Sequence, residues 1–346
     1  MQSRAVRRSN LELLRILCML FIVAHHFGVH GQYGDMEMSA FNRFIVNLLS
    51  AGGKLGVNIY VIISGYFLVK SDFKPRRIIN TLALTVFYSV TVYLALSIVA
   101  PGFIFSPRAL LQSFFVISNT SHWFVTRYVS MLLLSPFLNK LLYNISERAH
   151  LLLIAVLLLM QMTLPGTGSY IPLSDTGWFI TLYITAAYIR LYPKAIFGNK
   201  LALGISSVIF CTVIGLWTNS TNMTNLFCLL PSVSLFCLFN SIEIKHSRFI
   251  NLISRTTFAI YLIHDHVYMR EFLWVTLFNC PFHATLDSFW LFSAVAVMAV
   301  FTVCSLIDLI RILFTNPLIP YIKKLLEKTA SALKKIFCRI GAKNEE

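Results

Sequence analysis

Long apolar segments alternate with short basic ones along almost the whole chain. The apolar segments lie at 11–30, 50–69, 78–99, 123–142, 151–165, 177–192, 201–217, 224–241, 254–278 and 288–314. Because a helix needs about 20 mostly apolar residues to cross a bilayer, most of these segments are long enough to span one. The pattern predicts an all-α polytopic membrane protein with about ten transmembrane helices, of which the fifth and sixth are short.

The composition strengthens this prediction. Of the 346 residues, 57% are hydrophobic and 12% are charged, whereas about 25% of a typical soluble domain is charged. No small-residue cleavage site follows the first segment, so we expect a retained span rather than a signal peptide. The seven cysteines form neither a C-x-x-C pair nor an obvious disulfide framework, and we expect them to be small buried side chains.

The net charge of +15 is distributed in a way that predicts topology. Lysine and arginine are concentrated in alternate loops, as the positive-inside rule requires. With a cytoplasmic N-terminus, the inner segments hold Arg4, Arg7, Arg8, Lys70, Lys74, Arg76, Arg77, Lys140, Arg148, Arg190, Lys194, Lys200, Lys245, Arg248 and Arg255. The predicted outer loops hold only Arg43, Lys54 and Arg108. The pattern predicts that both termini are cytoplasmic and that the partner is a lipid bilayer, not a nucleic acid.

The chain divides at residue 316 into a membrane domain, 1–316, and a basic tail, 317–346. The tail has apolar residues at helical spacing with a lysine and arginine face. Such a segment can lie as an amphipathic helix on the anionic inner leaflet. An ordinary solvated basic tail is the alternative, and the sequence does not decide between the two.

The first apolar segment carries Glu12, Arg15, His25 and His26, although ionisable groups are costly inside a membrane. Ser9 and Glu12 match a capping box, which is one explanation for the acid. Arg15 and His26 are eleven residues apart, so they lie on nearly one helix face about 16 Å apart. This places Arg15 near the inner interface and His26 near the bilayer midplane, with His25 rotated by about 100°.

Four stretches together resemble the acyltransferase 3 family of integral-membrane O-acyltransferases. They are the "LELLR" start with a histidine eleven residues after Arg15, "NIYVIISGYFLV" at 58–69, "HWFVTRYVSMLLLSPFLN" at 122–139 and "FAIYLIH" at 258–264. The resemblance implies a ten-span fold and transfer of an acyl group, usually acetyl from acetyl-CoA, to a sugar hydroxyl of a cell-surface or lipid-linked glycan. It also implies a multi-pass protein of a cell membrane, such as the bacterial plasma membrane.

The resemblance and the chemistry together name candidate catalytic residues. A hydroxyl needs a base to become a good nucleophile, and histidine is the usual base near neutral pH. We expect His26 to be that base. Arg15 is the candidate for steering the donor or polarising its carbonyl, with Glu12 beside it where the family commonly has Asp. His264, from the "IYLIH" match, is the fourth catalytic candidate.

Two basic residues after the second helix, Arg76 and Arg77, are candidates for binding the phosphates of coenzyme A, since cationic side chains hold phosphates well. They would otherwise be ordinary inner-face anchors. We expect Arg15 to act nearer the reacting carbonyl than Arg76 and Arg77 do.

Acceptor binding is assigned to His25, Trp123, Arg127 and Tyr128, because aromatic and polar groups at an outer mouth suit stacking against a sugar. A membrane-interface belt is the alternative for Trp123. Ser64 and Gly65 fit close helix packing better than nucleophilic catalysis, and Tyr261 belongs to the late family motif.

No metal and no permanently bound cofactor is expected, because His264 and His266 lie on nearly opposite helix faces and no other zinc spacing is evident. Asp265 could pair with Arg270. A transporter or flippase for a sugar or lipid-linked oligosaccharide is the alternative function, and a glycan polymerase is a weaker one. The Arg15–His26 spacing favours the enzyme.

Overall fold

The computed structural model describes residues 7–34, 36–117, 122–161, 175–217 and 226–342, and these residues form helices without any strand. The helices are α1 (Ser9–His30), α2 (Ala40–Leu68), α3 (Pro75–Val99), α4 (Pro107–Gln112), α5 (Trp123–Tyr143), α6 (Glu147–Gln161), α7 (Asp175–Leu191), α8 (Lys200–Trp217), α9 (Leu226–Ser241), α10 (Arg248–Ile253), α11 (Thr257–His264), α12 (Val267–Glu271), α13 (Cys280–His283) and α14 (Phe289–Ala342). The all-α prediction is confirmed for these ranges.

Within the described ranges, four helical segments are long and apolar enough to cross a membrane. They are Ser9–His30, Ala40–Leu68, Pro75–Val99 and Phe289–Thr315. Shorter apolar helices follow at Lys200–Ile209 and Cys228–Ser241. The chain therefore has the helices of a membrane protein, whereas the count of ten spans and the cytoplasmic position of the termini stay predictions.

The second helix is longer than the predicted 50–69. Its N-cap is Ser39, whose hydroxyl accepts a hydrogen bond from the backbone N–H of Asn42 at 3.1 Å. The Asn42 amide in turn donates to the carbonyls of Ala284 and Leu286, so a polar residue is satisfied inside the helix. Arg43 and Lys54 were expected in an outer loop, and this expectation is wrong because both lie within α2.

The predicted helix 254–278 is also wrong as a single element. The chain leaves the helical path after α11 at Asp265, and the His266 side chain caps α12 by accepting from the backbone N–H of Tyr268. A π-helical turn, Phe272–Leu277, follows α12. Such turns occur often at functional sites. The apolar residues on both sides did not indicate this break. The break places three consecutive polar residues, His264, Asp265 and His266, close together.

The last helix crosses the predicted boundary between membrane domain and tail, because α14 continues without interruption from Phe289 to Ala342. The division at residue 316 and the association of the tail with the inner leaflet stay predictions.

Small residues let α2 lie between α1 and α7. A Cβ atom added to Gly56 would lie 2.6 Å from the backbone oxygen of Cys18 in α1. One added to Gly65 would lie 3.1 Å from the Cβ of Ala186 in α7. Close approach of this kind is typical of membrane helices, where small residues replace the hydrophobic driving force. It fixes α1 against the rest of the bundle.

Polar contacts mark the two ends of this bundle. At one end the Arg8 guanidinium donates to Asn240 at the end of α9, at 2.9 Å. At the other end the C-terminal turn of α1 meets the break after α11 through His26 and His264. The first end holds the N-terminus of α1, and the second holds the candidate site.

Candidate active site

A hydrogen bond between two histidines forms the centre of the site. Nδ1 of His26 lies 2.8 Å from Nε2 of His264. Nδ1 of His264 lies 2.6 Å from the carbonyl of Ile260 and must donate to it, because a carbonyl only accepts. A neutral His264 therefore accepts at Nε2, and His26 donates from Nδ1. This leaves the lone pair of neutral His26 on Nε2.

Asp265 lies on the other side of His26. Its Oδ1 atom is 3.5 Å from Nε2 of His26 and 3.6 Å from Nε2 of His30. The same oxygen accepts a 2.8 Å hydrogen bond from Nε of Arg270, so the pair expected from the sequence forms. The Asp265 side chain is fully buried. A buried carboxylate next to an imidazole stabilises the protonated ring.

A cavity of about 510 Å³ opens beside His26. Its lining combines apolar and aromatic groups with a few polar ones: Met19, Ile22, His25, His26, Gly53, Lys54, Val57, Tyr60, Trp123, Phe124, Phe258 and Tyr261. A largely apolar pocket with a few convergent polar groups is the usual form of a small-molecule site. The histidine of the first helix therefore faces a space that can hold a substrate.

His26 lies toward the C-terminal end of α1. It is about 26 Å from Ser9 in a helix about 33 Å long, so it is in the last turns of the helix. Its depth near the bilayer midplane stays a prediction. His25, an acceptor-binding candidate, lines the cavity beside His26 and donates from Nδ1 to the carbonyl of Ser50.

Glu12 and Arg15 form a separate polar group about 16 Å from His26 along α1. Nη1 of Arg15 lies 3.0 Å from Oε1 of Glu12, and the second carboxylate oxygen accepts from the hydroxyl of Ser254. The capping-box explanation is wrong, because the N-cap is Arg8 and Ser9 instead accepts from the backbone N–H of Ser247.

The polar group at Arg15 continues toward the cavity. The Thr257 hydroxyl bonds the carbonyl of Ser254, and the hydroxyl of Tyr60 lies 2.6 Å from that of Thr257. Since Tyr60 lines the cavity, polar side chains connect the Glu12 carboxylate to the space beside His26.

The two donor-binding candidates lie near a second, smaller cavity of about 230 Å³ at the junction of α2 and α3. Arg77 lines it, and Nη1 of Arg77 donates to the hydroxyl of Ser71 at 3.0 Å. Lys74 lines it too, whereas Arg76 is exposed and is not part of the lining. The structure therefore separates two residues that the sequence treated alike.

The acceptor candidates do not all reach the main cavity. Trp123 lines it, and the ammonium of Lys54 lies 4.8 Å from the centre of the Trp123 ring. Arg127 pairs instead with Asp175, at 3.4 Å. The hydroxyl of Tyr128 donates to Ser64 at 3.2 Å, away from the cavity lining.

The three motif residues lie where packing and the cavity meet. The Ser64 hydroxyl donates to the backbone oxygen of Tyr60, one turn earlier, and Gly65 makes the close approach to α7. Tyr261 lines the cavity, and its hydroxyl proton has no acceptor among the described residues.

The sequence candidates omitted His30, Asp265 and Lys54 from the site. His30 follows His26 by four residues, which places both on one helix face, and this spacing was the signal that could have found it. Asp265 was considered only as a partner of Arg270, because a continuous helix was predicted there. Lys54 was assigned to an outer loop, although it lies within the predicted segment 50–69.

Comparison with known proteins adds the family. A family model described as an acyltransferase domain, that of the acyltransferase 3 family, matches residues 8–309. The chain belongs to the acyltransferase 3 family. The acyltransferase 3 match runs from the residue before α1 into α14, so it contains both cavities and the His26–His264 pair. Neither the curated proteins nor the solved structures gave a match.

Membership makes this protein one of a family of membrane acyltransferases, in agreement with its long apolar helices. Acyl transfer needs a donor, an acceptor and, for a hydroxyl acceptor, a base. The acyltransferase 3 chain has a histidine with a free ring nitrogen at a cavity, and arginine at a second cavity.

Proposed function

We propose that the protein transfers an acetyl or other short acyl group from acetyl-CoA to a hydroxyl of a cell-surface or lipid-linked glycan, with His26 as the general base. The observation that carries the proposal is the fixed tautomer of His26. Its Nδ1–H is held by His264, so the Nε2 lone pair is available in a chain that belongs to an acyltransferase family.

The reaction follows from this tautomer. Nε2 of His26 accepts the proton of the acceptor hydroxyl while the hydroxyl oxygen attacks the thioester carbonyl of acetyl-CoA. The tetrahedral intermediate collapses with loss of the carbon–sulfur bond, and the imidazolium returns its proton to the departing thiolate. The products are the glycan ester and free coenzyme A, and His26 is regenerated.

This reaction develops a positive charge on the imidazolium and a negative charge on the oxyanion, and residues at the site can stabilise both. The Asp265 carboxylate, 3.5 Å from Nε2 of His26, stabilises the imidazolium. Lys54 and Tyr261 line the cavity with an ammonium and a hydroxyl donor, which can stabilise the oxyanion of the tetrahedral intermediate. Donors placed for a developing oxyanion contribute about 10²–10³ in rate in well-studied enzymes.

The donor is proposed to enter at the opposite end of the bundle. Arg77 and Lys74 would hold the phosphates of coenzyme A at the smaller cavity. About 21 Å of α2 separates Leu68 at that cavity from Lys54 at the larger one. The long pantetheine arm of coenzyme A would carry the thioester along the polar side chains between Arg15 and Tyr60.

The acceptor is proposed to bind on the aromatic side of the larger cavity. Trp123, Tyr60 and Tyr261 are aromatic residues of its lining, and His25 adds a polar group. Sugars bind well to such surfaces because their apolar faces stack on rings while hydroxyls find polar partners.

Purified protein in detergent tests this proposal directly. Release of free coenzyme A from acetyl-CoA should depend on an added glycan acceptor, and NMR of the product should show a new ester on a sugar carbon. Absence of acetyl-CoA consumption, together with passage of an unmodified sugar across vesicles containing the protein, would instead support a transporter. In cells, loss of the protein should remove acetyl signals from the surface glycan.

A further inference from the structure

We propose that His26, His30 and Asp265 form a binding site for a divalent transition-metal ion, with Zn²⁺ as the best match, and that metal binding blocks acyl transfer. One ring nitrogen of His26, one of His30 and a carboxylate oxygen of Asp265 all lie within 4.8 Å of one another. The blocking effect rests on the proposed function, whereas the binding site rests on geometry alone.

The separations of the ligand atoms fit a metal better than they fit hydrogen bonds. Both histidine nitrogens lie 3.5–3.6 Å from Oδ1 of Asp265, beyond the range of about 2.7–3.2 Å for N–H···O bonds. Zinc holds imidazole and carboxylate ligands at about 2.0–2.2 Å, and the edge of such a tetrahedron is about 3.3–3.5 Å. The His30 side chain is 25% exposed, so its ring can turn to complete the ligand set.

The ligand set is one that zinc uses elsewhere. Two histidines and one carboxylate hold zinc in well-known catalytic sites, and the fourth position stays open. His26 and His30 are four residues apart on α1, which aligns two imidazoles on one helix face. The third ligand comes from the break after α11, so the fold brings distant segments together to complete the set.

The hydrogen bonding of the proposed ligand side chains also favours metal binding. A metal-binding histidine normally has its other ring nitrogen hydrogen-bonded, which fixes its orientation. His264 does this for His26 by holding Nδ1 at 2.8 Å and leaving Nε2 for the ion. The Oδ2 atom of Asp265 is buried and has no hydrogen-bond partner among the described residues. A metal that bound this oxygen would satisfy it.

Arg270 should lower the affinity of the site for a metal ion. Its Nε donates to Oδ1 of Asp265 at 2.8 Å, and its positive charge repels a cation at the same carboxylate. The arginine side chain is 30% exposed and can swing away when the ion binds. Removal of this charge by Arg270→Gln should therefore raise metal affinity, which is opposite to the effect of removing a ligand.

Metal binding and catalysis compete for one lone pair. When Zn²⁺ occupies Nε2 of His26, this nitrogen cannot accept the acceptor's proton. We expect micromolar Zn²⁺ to inhibit acyl transfer and a chelator to restore it. Tetrahedral nitrogen and oxygen ligands also favour Co²⁺, whose visible spectrum reports its geometry without any substrate.

The test uses the full-length protein in detergent, purified without a histidine tag. Co²⁺ is titrated while the visible spectrum is recorded, and Zn²⁺ binding is measured by competition. The wild-type protein should bind one ion per chain in tetrahedral form. His30→Gln should weaken binding at least about tenfold, as loss of a supporting group alone costs 10–100-fold. Zn²⁺ should no longer inhibit acyl transfer by this variant, when its rate with the ion is compared with its own metal-free rate.

His266→Gln is the matched control, because His266 neighbours Asp265 but lies outside the ligand set, and its metal affinity should not change. Binding with unchanged affinity in His30→Gln would overturn the site, as would absence of a tetrahedral Co²⁺ spectrum in the wild type. Zinc that binds to the wild type without inhibiting transfer would contradict the competition and the base role of His26, while leaving the site standing.

Discussion

The Nδ1 atom of His26 lies 2.8 Å from the Nε2 atom of His264, although 238 positions separate the two residues in the chain. The contact joins the last turn of α1 to the last residue of α11. It fixes which nitrogen of His26 carries the proton, and a wrong tautomer has no lone pair where the acceptor hydroxyl must be deprotonated. His264 therefore positions the base without touching the reacting atoms.

His264→Gln should lower kcat for acyl transfer at least about tenfold, because a free His26 ring spends time in unproductive orientations and loses part of the 10²–10⁴ that a general base supplies. The KM for acetyl-CoA should change little. His266→Gln is the control, since His266 is also buried but does not contact His26. Equal losses in the two variants would show that His264 is only a core residue.

Asp265→Asn should reduce kcat because the amide cannot stabilise the imidazolium of His26. Asp308→Asn provides a closely matched comparison: Asp308 is also fully buried and is bonded by Arg311 at 2.6 Å and by the Tyr88 hydroxyl. Both variants should lower thermal stability, because each disturbs a buried charged pair. Only Asp265→Asn should lower kcat per folded molecule, measured by initial rates normalised to folded protein. A similar fall for Asp308→Asn would contradict a specific role.

Arg77→Ala should raise the KM for acetyl-CoA more than Arg76→Ala, because Arg77 lines the smaller cavity and Arg76 is exposed outside it. The kcat should change less than the KM, as expected when binding is lost equally from ground and transition states. Steady-state kinetics with varied acetyl-CoA measure both. An unchanged KM in both single variants and in the double variant would make the two arginines topological anchors.

The topology can be tested at the two ends of α3. Single cysteines at Lys74 and Arg108, both exposed, lie just before this helix and after it. In the predicted orientation, a membrane-impermeant thiol reagent should label Lys74→Cys only from the cytoplasmic side and Arg108→Cys only from outside. The native cysteines are replaced by alanine in both proteins. Labelling of Lys74→Cys from outside would contradict the predicted orientation of α3.

The sequence predicted the helical class because a long apolar segment in a bilayer must make its backbone hydrogen bonds within itself, and an α-helix does this. It also singled out His26 and Arg15 as candidates, because ionisable groups in apolar segments are conspicuous, and His264 through the family motif. The catalytic roles of the three residues stay predictions. The family resemblance from these motifs is confirmed by the match over residues 8–309.

The boundaries of α2 and the break at Asp265 could not be predicted, because tertiary contacts decide both. The ten further residues of α2, 40–49, include Asn42, Arg43 and Asn47, and Asn42 is satisfied only by the carbonyls near α13. The segment 254–278 looks like one helix because apolar residues lie on both sides of Asp265. Its break is stabilised by Arg270 and by His26 from another helix, and neither contact is visible in a local pattern.

The role of His26 as the base is tested most directly by the rate of acetyl transfer by His26→Ala, measured in purified protein at matched expression and with acetyl-CoA binding checked separately. His150→Ala is the structural control: His150 is also buried, and its Nε2 donates to the Ile184 carbonyl in a different part of the bundle. His26→Ala should lose at least about a hundredfold in kcat and still bind acetyl-CoA, as loss of a general base implies, while His150→Ala should keep its kcat per folded molecule. Near-normal transfer by His26→Ala would show that His26 is not the base.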